Sequence, residues 1–199
     1  MKMEKSPQKL DRRVAKTQKS IRDAFRTLIV RDGLNKVTVS ALAREADIDR
    51  KTFYLHYSSI DNLIAKEAAI LVERIAHAMV ETDSAERKPF PLRLKSALTE
   101  LANITAENPE LYRCLFKSYS LTQMVDALIG PARKAAMETE QVFTTDNEEA
   151  VEFILRFCLS GALSVFIHWF MQDSDTPIET VVDIVEQATA SNPALLVNG

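Results

Sequence analysis

The segment Arg50-Lys51-Thr52 opens a predicted helix with side chains that can bond to nucleic acid. Arginine and lysine donate hydrogen bonds to guanine edges and phosphate oxygens, while threonine offers a hydroxyl to a phosphate or a methyl group to thymine. Farther along this helix, Phe53 and Tyr57 are four residues apart and are expected to face inward. The residues left on the opposite side are Tyr54, Leu55 and His56. This pattern predicts a surface that contacts a DNA duplex.

Two short helices joined by a tight turn are predicted to hold these residues in place. Thr38 can cap the first helix and Asp49 the second, and an apolar pair suited to a hydrophobic staple flanks each cap. The staple pairs are Val37 with Leu42 and Ile48 with Phe53. A helix-turn-helix has this layout, and its second helix enters the major groove N-terminus first. The alternative is an ordinary helical hairpin with a solvated basic end, but the caps, staples, turn and basic helix start all coincide.

Residues 37–63 resemble the DNA-binding helix-turn-helix of the TetR family of bacterial transcriptional regulators, and the resemblance is strong over residues 15–65. It implies that Thr38 and Ser40 meet the phosphate backbone. It also implies that three side chains read or position bases, namely Arg50, Lys51 and Thr52. Tyr54 and His56 would touch phosphates, and Leu55 would present an apolar surface to a thymine methyl. The fold implied is all-α, with a three-helix head and a helical body for effector binding and dimerisation.

Three positions depart from the family pattern. Asp47 stands where the turn usually has glycine, and aspartate visits the left-handed region more readily than most residues. Asp49 replaces the usual serine cap and brings a negative charge, and Ile60 replaces a lysine that usually binds phosphate. Loss of one phosphate contact would lower the salt dependence of binding by about one unit. These departures leave room for a rival function, a TetR-like co-regulator that acts through a protein partner with little direct DNA contact.

Composition and charge favour a helical protein with a basic head and an acidic body. The chain has 199 residues, only 4 glycines and 46% hydrophobic residues, which favours an all-helical fold. Residues 1–60 hold 14 Lys and Arg against 7 Asp and Glu, whereas the remaining 139 hold 11 against 21. That asymmetry is typical of a nucleic-acid-binding head on an acidic body. The predicted domains are 1–62, an arm with the helix-turn-helix, and 63–199, the effector and dimerisation domain.

Hydrophobic periodicity and breaker residues predict the remaining elements. Residues 1–15 are expected to be a flexible basic arm, which either reaches DNA or remains a free tail. Breaks are expected at 82–88, at Gly130-Pro131, at 144–147 and after residue 192. The predicted helices outside the helix-turn-helix are 17–31, 59–81, 90–106, 110–128, 132–142, 148–172 and 177–190.

The last two helices predict a dimer interface. Helix 148–172 is apolar almost all round, so it needs cover on most sides. Its small residues Ser160, Gly161 and Ser164 would let a partner helix approach closely. We therefore expect a homodimer through helices 148–172 and 177–190, with burial inside one subunit as the alternative. A two-fold dimer also matches a palindromic DNA operator.

Aromatic residues and methionines in the body are candidates for an effector pocket. They are Tyr112, Phe116, Tyr119, Met124, Met137, Phe157 and Phe166. Such residues at helical spacing are more often plain core. If they line a pocket, their mix of apolar surface and a few hydroxyls would suit a mostly hydrophobic small molecule of unknown identity.

Other classes of function find little support in the sequence. There is no phosphate-binding glycine loop, nucleophile-elbow serine or zinc helix, so we expect no enzyme, no cofactor and no metal site. Cys114 and Cys158 lie in apolar stretches and suggest buried thiols rather than a disulfide. Residues 1–18 lack an apolar core, and charged residues interrupt the apolar stretch 150–171. A cytoplasmic bacterial protein without a membrane span is expected.

Overall fold

Helices make up all the regular structure in the described residues, which in this computed structural model are 7–80, 90–137 and 148–190. A single 3-10 turn, Leu34–Lys36, follows the first helix. The α-helices are α1 Pro7–Asp32, α2 Val39–Glu45, α3 Arg50–Tyr54, α4 Ile60–Val80, α5 Phe90–Glu107, α6 Pro109–Ser118, α7 Leu121–Met137, α8 Glu148–Met171 and α9 Ile178–Ala190. The all-α prediction is confirmed in these residues. The breaks predicted at 82–88 and 144–147, and the tail, lie outside them.

The chain forms two compact units, residues 1–67 and 68–199. The division falls within α4, five residues beyond the predicted domain boundary at residue 62. The first unit has its own apolar core, because α1 turns one face inward against α2, α3 and the start of α4. Its fully buried large side chains are Ile21, Leu28, Ile29, Leu42, Phe53 and Leu63. This core fixes the helix-turn-helix.

Helix α1 begins at Pro7, ten residues earlier than predicted, so most of the expected arm is helical. Proline suits the start of a helix because its fixed φ matches the first helical position and its missing N–H is not needed there. Residues 12–16 are all exposed, and Ile21 is fully buried. Exposed helical residues such as 12–16 carry no apolar periodicity, which is why the pattern placed the start of the helix later.

The second unit is built around α8. Eight of its side chains are buried, among them Leu155, Leu159 and Phe166, and they pack against α5, α7 and α9. By length and composition α8 is the one helix, within the described ranges, that could cross a membrane, with a mean hydropathy of 1.8. Core helices of soluble proteins share that composition.

Two charged groups tie α5 to its neighbours in the second unit. Arg93 is 5% exposed and donates to the Met79 carbonyl of α4 at 3.1 Å. Lys95 hydrogen-bonds Asp183 and Glu186 of α9, which raises the pKa of its ammonium to about 12.

The prediction of a helix break at Gly130-Pro131 is wrong. Both residues lie inside α7, and the break comes earlier, at Tyr119 and Ser120. Ser120 and Gln123 form a capping box, in which the Ser120 Oγ accepts from the Gln123 N–H at 3.3 Å and the Gln123 Oε1 accepts from the Ser120 N–H at 2.9 Å. The strong start at Ser120 therefore divides the predicted helix 110–128 into two.

Candidate DNA-binding surface

Helix α2 begins as the sequence predicts. The Thr38 backbone is extended, and its side-chain oxygen accepts a hydrogen bond from the Ala41 N–H at 3.2 Å. Leu42 and Ala43 are buried, whereas Thr38 and Ser40 remain exposed. The cap therefore fixes the helix start while leaving both hydroxyl side chains accessible.

The turn between α2 and α3 depends on Asp47, whose φ is 52°. This left-handed conformation is the one that glycine usually supplies and that aspartate tolerates better than most residues. The Ile48 N–H then donates to the Ala43 carbonyl at 2.9 Å, which closes the end of α2. The sequence prediction that Asp47 can occupy this turn is confirmed.

Helix α3 starts after Asp49, but the predicted side-chain cap does not form. Asp49 is extended and occupies the cap position, and its carbonyl accepts from the Phe53 N–H at 3.2 Å, yet its carboxylate makes no capping hydrogen bond. The helix has five residues, and burial of Phe53 rather than a cap anchors it. The Asp49 carboxylate is left exposed beside the basic helix start.

The register of α3 agrees with the predicted inward and outward faces. Phe53 is 0% exposed and Tyr57 4%. Arg50 and Lys51 are exposed, as are Tyr54 and Leu55, while Thr52 and His56 are half-buried. The structure thus brings a contiguous set of cationic, hydroxyl and aromatic groups to the surface of the first unit.

Helix α4 begins directly after this surface. The Ser59 Oγ accepts from the Asn62 N–H at 3.0 Å, and the Asn62 Oδ1 accepts from the Ser58 N–H at 3.3 Å, so these side chains cap the helix start. Ile60 is partly buried. The phosphate-binding group that lysine would supply at this position is therefore not provided by residue 60.

Sequence reasoning missed a group of charged residues around Tyr57. The Lys66 ammonium donates to the His56 carbonyl at 3.1 Å and lies 5.0 Å from the centre of the Tyr57 ring. Glu67 is close to Arg22, and burial raises the pKa of both the Glu67 carboxyl and the Tyr57 hydroxyl. Lys66 and Glu67 lie six and seven residues past the start of α4, so a motif confined to residues 37–63 gives no signal for them.

The predicted effector residues are only partly brought together. The Phe116 ring lies 6.3 Å from that of Tyr112 and 6.4 Å from that of Phe166, and Met124 packs against the same core. Tyr119 is half-buried at the end of α6. The side chain of Met137 lies outside the described residues.

Phe157 does not face that aromatic group. It is 70% exposed, while Phe166 is fully buried. Nine residues separate them on α8, and nine steps of 100° place two side chains on opposite faces of a helix. Phe157 therefore belongs to the outer face of α8.

A small gap in the second unit lies apart from the aromatic group. Its volume is about 10 Å³, close to the room that one water needs. Helices α4, α5, α7 and α8 contribute a wholly apolar lining, formed by Ile75, Met79, Leu94, Ala97, Leu98, Leu101, Leu128, Leu159, Ala162 and Leu163. A drug-sized molecule would need side chains to move before it could enter here.

The outer face of α8 exposes apolar and small residues at helical spacing. Phe153 is 63% exposed and Phe157 70%, and Gly161, Ser164 and Val165 continue the exposed stripe. Ile184 of α9 is 56% exposed. Contiguous apolar exposure of this kind marks an interaction surface. Within the described ranges, no three His, Cys, Asp or Glu side chains are grouped as metal ligands.

Comparison with known proteins agrees with this geometry. The family model described as bacterial regulatory proteins, tetR family, matches residues 21–66, and a model described as a transcriptional regulator C-terminal region matches residues 93–191. The two matches cover the helix-turn-helix and most of the body, and the chain belongs to the TetR family of transcriptional regulators.

Individual relatives extend this likeness. A protein of Haemophilus influenzae described as an HTH-type transcriptional regulator is 31% identical over 116 residues, a match that spans 57% of this chain and 62% of the relative. A fatty acid degradation regulator from Bacillus halodurans superposes with a TM-score of 0.65 at 17% identity, over 87% of this chain and 98% of that one. A TetR-family transcriptional regulator from H. influenzae superposes with a TM-score of 0.57 at 20% identity, over 92% of this chain and 98% of that one. The two superpositions show a shared fold.

Proposed function

We propose that this chain is a homodimeric repressor that binds a palindromic DNA operator and is released by a small molecule. The observation that carries the DNA-binding proposal is the outward face of α3, where Arg50 and Lys51 are exposed at the helix start and Phe53 anchors the helix from behind. In this proposal Thr38, Ser40, Tyr54 and His56 meet phosphates. Arg50, Lys51 and Thr52 contact bases, and Leu55 contacts a thymine methyl.

The exposed stripe of α8 supports the homodimer. Gly161 and Ser164 are small enough for two helices to come close, and Phe153 and Phe157 beside them offer apolar area to bury. An interface that a chain makes with its own copy about a two-fold axis uses the same patch on both subunits. A dimer of this kind presents two α3 helices, as a palindrome of two half-sites requires.

Release by a small molecule would be a shift between two states of the body. The small gap is lined in part by Ile75 and Met79 of α4, the helix that continues from the first unit. A molecule that binds there or beside Phe116 can enter only if the helices repack. It would therefore favour a state with a different α4 position, to the extent that it binds that state more tightly.

The DNA-contact assignments can be tested by substitution. Lys51→Ala, which removes a proposed base contact, should weaken binding to a duplex that the wild-type protein enriches from genomic fragments by about 1–3 kcal/mol. Tyr54→Ala, which removes a proposed phosphate contact, should weaken binding to that duplex as well. Lys134→Ala removes the same charge as Lys51→Ala from an exposed position on α7 and serves as the control. Fluorescence anisotropy gives the dissociation constants. Affinities equal to that of Lys134→Ala would refute the assignments.

A further inference from the structure

Tyr57 lies at the centre of a charged group that joins α3 to α1 and α4 within the first unit. Its ring is 4% exposed and lies 5.8 Å from the ring of Phe53, the buried anchor of α3. Arg22 of α1 interacts electrostatically with its hydroxyl. The Lys66 ammonium of α4 lies over its ring at 5.0 Å. Contacts that fix the position of Tyr57 therefore also fix the buried side of α3.

Lys66 makes a second contact directly beyond the end of α3. Its Nζ donates to the His56 carbonyl at 3.1 Å, and His56 immediately follows Leu55, the C-cap of α3. An ammonium beside the C-terminal end of a helix is also favoured by the negative end of the helix dipole. One side chain thus engages two consecutive residues, His56 by its carbonyl and Tyr57 by its ring.

Glu67 reaches the same tyrosine indirectly. Its carboxylate lies 3.9 Å from the Arg22 Nε and 4.0 Å from an Arg26 nitrogen. Both Arg22 and Glu67 also interact electrostatically with the Tyr57 hydroxyl. Two consecutive residues of α4 therefore act on Tyr57, Lys66 by direct contact and Glu67 by its charge.

A five-residue helix depends on such contacts. Helices this short are not stable alone, and α3 has no side-chain hydrogen bond from Asp49 at its N-terminus. Its C-terminal end is instead secured by Lys66 of α4, three residues beyond the segment 37–63. Base contacts at Arg50 and Lys51 require a fixed helix position, because ordering a loose helix on DNA would reduce the affinity gained from those contacts.

We propose that Lys66 is a positioning residue for sequence-specific DNA binding: by holding His56 and Tyr57 it fixes the end of α3 and thus the register of its N-terminal side chains on the bases. This inference rests on the proposed DNA-binding function. It differs from a phosphate contact, the usual role of a lysine in a DNA-binding head, because the ammonium is engaged by the protein itself.

The test compares Lys66→Met, which keeps the aliphatic stem, with Lys66→Arg and with Lys19→Met, which removes one charge from α1. Dissociation constants are measured by anisotropy over a range of salt, for the genomically selected duplex and for a random-sequence duplex of equal length. Lys66→Met should bind the selected duplex roughly tenfold more weakly than Lys19→Met, from the loss of one charged hydrogen bond and one cation–π contact. The two variants should bind the random duplex alike, and Lys66→Arg should restore most of the loss.

Other results would overturn the proposal. A salt dependence reduced by about one unit, with both duplexes weakened alike, would make Lys66 a phosphate contact. A lowered melting temperature with unchanged duplex discrimination would make its role purely structural. If Lys66→Met does not fold, Lys66→Gln, which removes the charge and the cation–π contact but keeps a polar end group, should show the loss of discrimination instead, and unchanged discrimination would refute the arrangement. If the wild-type protein binds the selected and the random duplex equally well, sequence-specific DNA binding itself is refuted. If wild type and Lys66→Met prefer the selected duplex to the same extent, only the role of Lys66 is refuted.

Discussion

Glu67 shows how burial and ion pairing oppose each other in a single residue. Burial raises the pKa of its carboxyl, while Arg22 and Arg26 lower it without cancelling the effect of burial. Its Oε1 is buried and has no hydrogen-bond donor among the described residues. The two ion pairs, at 3.9 and 4.0 Å, are long, and such pairs near a surface contribute little.

The raised pKa gives Glu67 a definite pH dependence. A folded-state pKa above the unfolded value means that the stability contributed by the protonated carboxyl is present below the unfolded pKa and lost as pH rises through the folded one. Glu67→Gln keeps a neutral side chain at every pH. The melting temperature of the variant should therefore equal or exceed that of wild type at pH 7, and the difference should shrink towards pH ~4. A variant clearly less stable than wild type at pH 7 would show that the ion pairs outweigh burial.

The two cysteines should differ in reactivity. Cys158 is 2% exposed, and burial raises the pKa of its thiol to about 11, so it remains protonated near neutral pH. Cys114 is half-buried. Because the thiolate is the reactive form, a chromogenic disulfide at pH 8 should modify Cys114 first and Cys158 only after denaturation. Cys114→Ser should abolish the fast phase and Cys158→Ser should preserve it. Equal rates for both thiols in the folded protein would contradict this account.

Single residues were the most predictable part of the site. The inward positions of Phe53 and Tyr57 and the left-handed turn at Asp47 follow from helical spacing and from side-chain preference, both of which are local. The missing capping hydrogen bond of Asp49 depends on side-chain orientation, and the contacts of Lys66 with His56 and Tyr57 join residues about ten positions apart. Neither feature can be predicted from the local sequence.

Among the elements, α7 begins at the capping box of Ser120 and Gln123 and continues through Gly130-Pro131, where the sequence predicted a break. Gly130 lies within the helix and lacks the positive φ that Gly33 has, 84°. A Cβ added at Gly130 would meet no atom within 4 Å beyond its chain neighbours and the backbone of its own helix, but Pro131, which follows it, crowds a Cβ at that position. Gly130→Ala should therefore stabilise the protein by less than the ~0.5–1 kcal/mol typical of a glycine-to-alanine change inside a helix. Gly33→Ala should destabilise it by about 1–3 kcal/mol, because its positive φ is combined with an extended ψ of 151°. Chemical denaturation measures both, and a Gly130→Ala variant destabilised as much as Gly33→Ala would favour the helix break predicted from the sequence.

The errors at element scale have physical causes. Apolar periodicity reports packing, so it found the buried part of α1 and missed the exposed basic residues before it. It also merged α6 and α7, because both bury apolar residues against the same core and the capping residues Ser120 and Gln123 interrupt that pattern for only a few positions.

For the whole molecule, the outer face of α8 predicts the oligomeric state. Gly161→Glu would put a charge into the proposed interface, whereas Gly130→Glu makes the same change on α7. A Cβ added at either glycine meets open space within the chain. Light scattering should show that Gly161→Glu is monomeric, or dimeric only at much higher concentration, and that Gly130→Glu remains dimeric. Two variants that both remain dimeric would exclude this face as the interface.

The charge distribution also belongs to the whole molecule. Residues 1–60 are net positive and the rest net negative, so DNA is attracted to the first unit and repelled by the second. The sequence alone was sufficient for this conclusion, for the all-α fold and for the helix-turn-helix. It could not locate an effector site, because aromatic side chains at helical spacing form a packed core and a lined pocket equally well.

Sequence-specific DNA binding by a dimer is tested most directly by incubating the purified, ligand-free protein with genomic fragments, recovering the bound ones and sequencing them. We expect an enriched palindrome whose half-sites lie about one helical turn apart. Recovery of fragments without an enriched sequence would contradict it and would favour a co-regulator that acts through a protein partner.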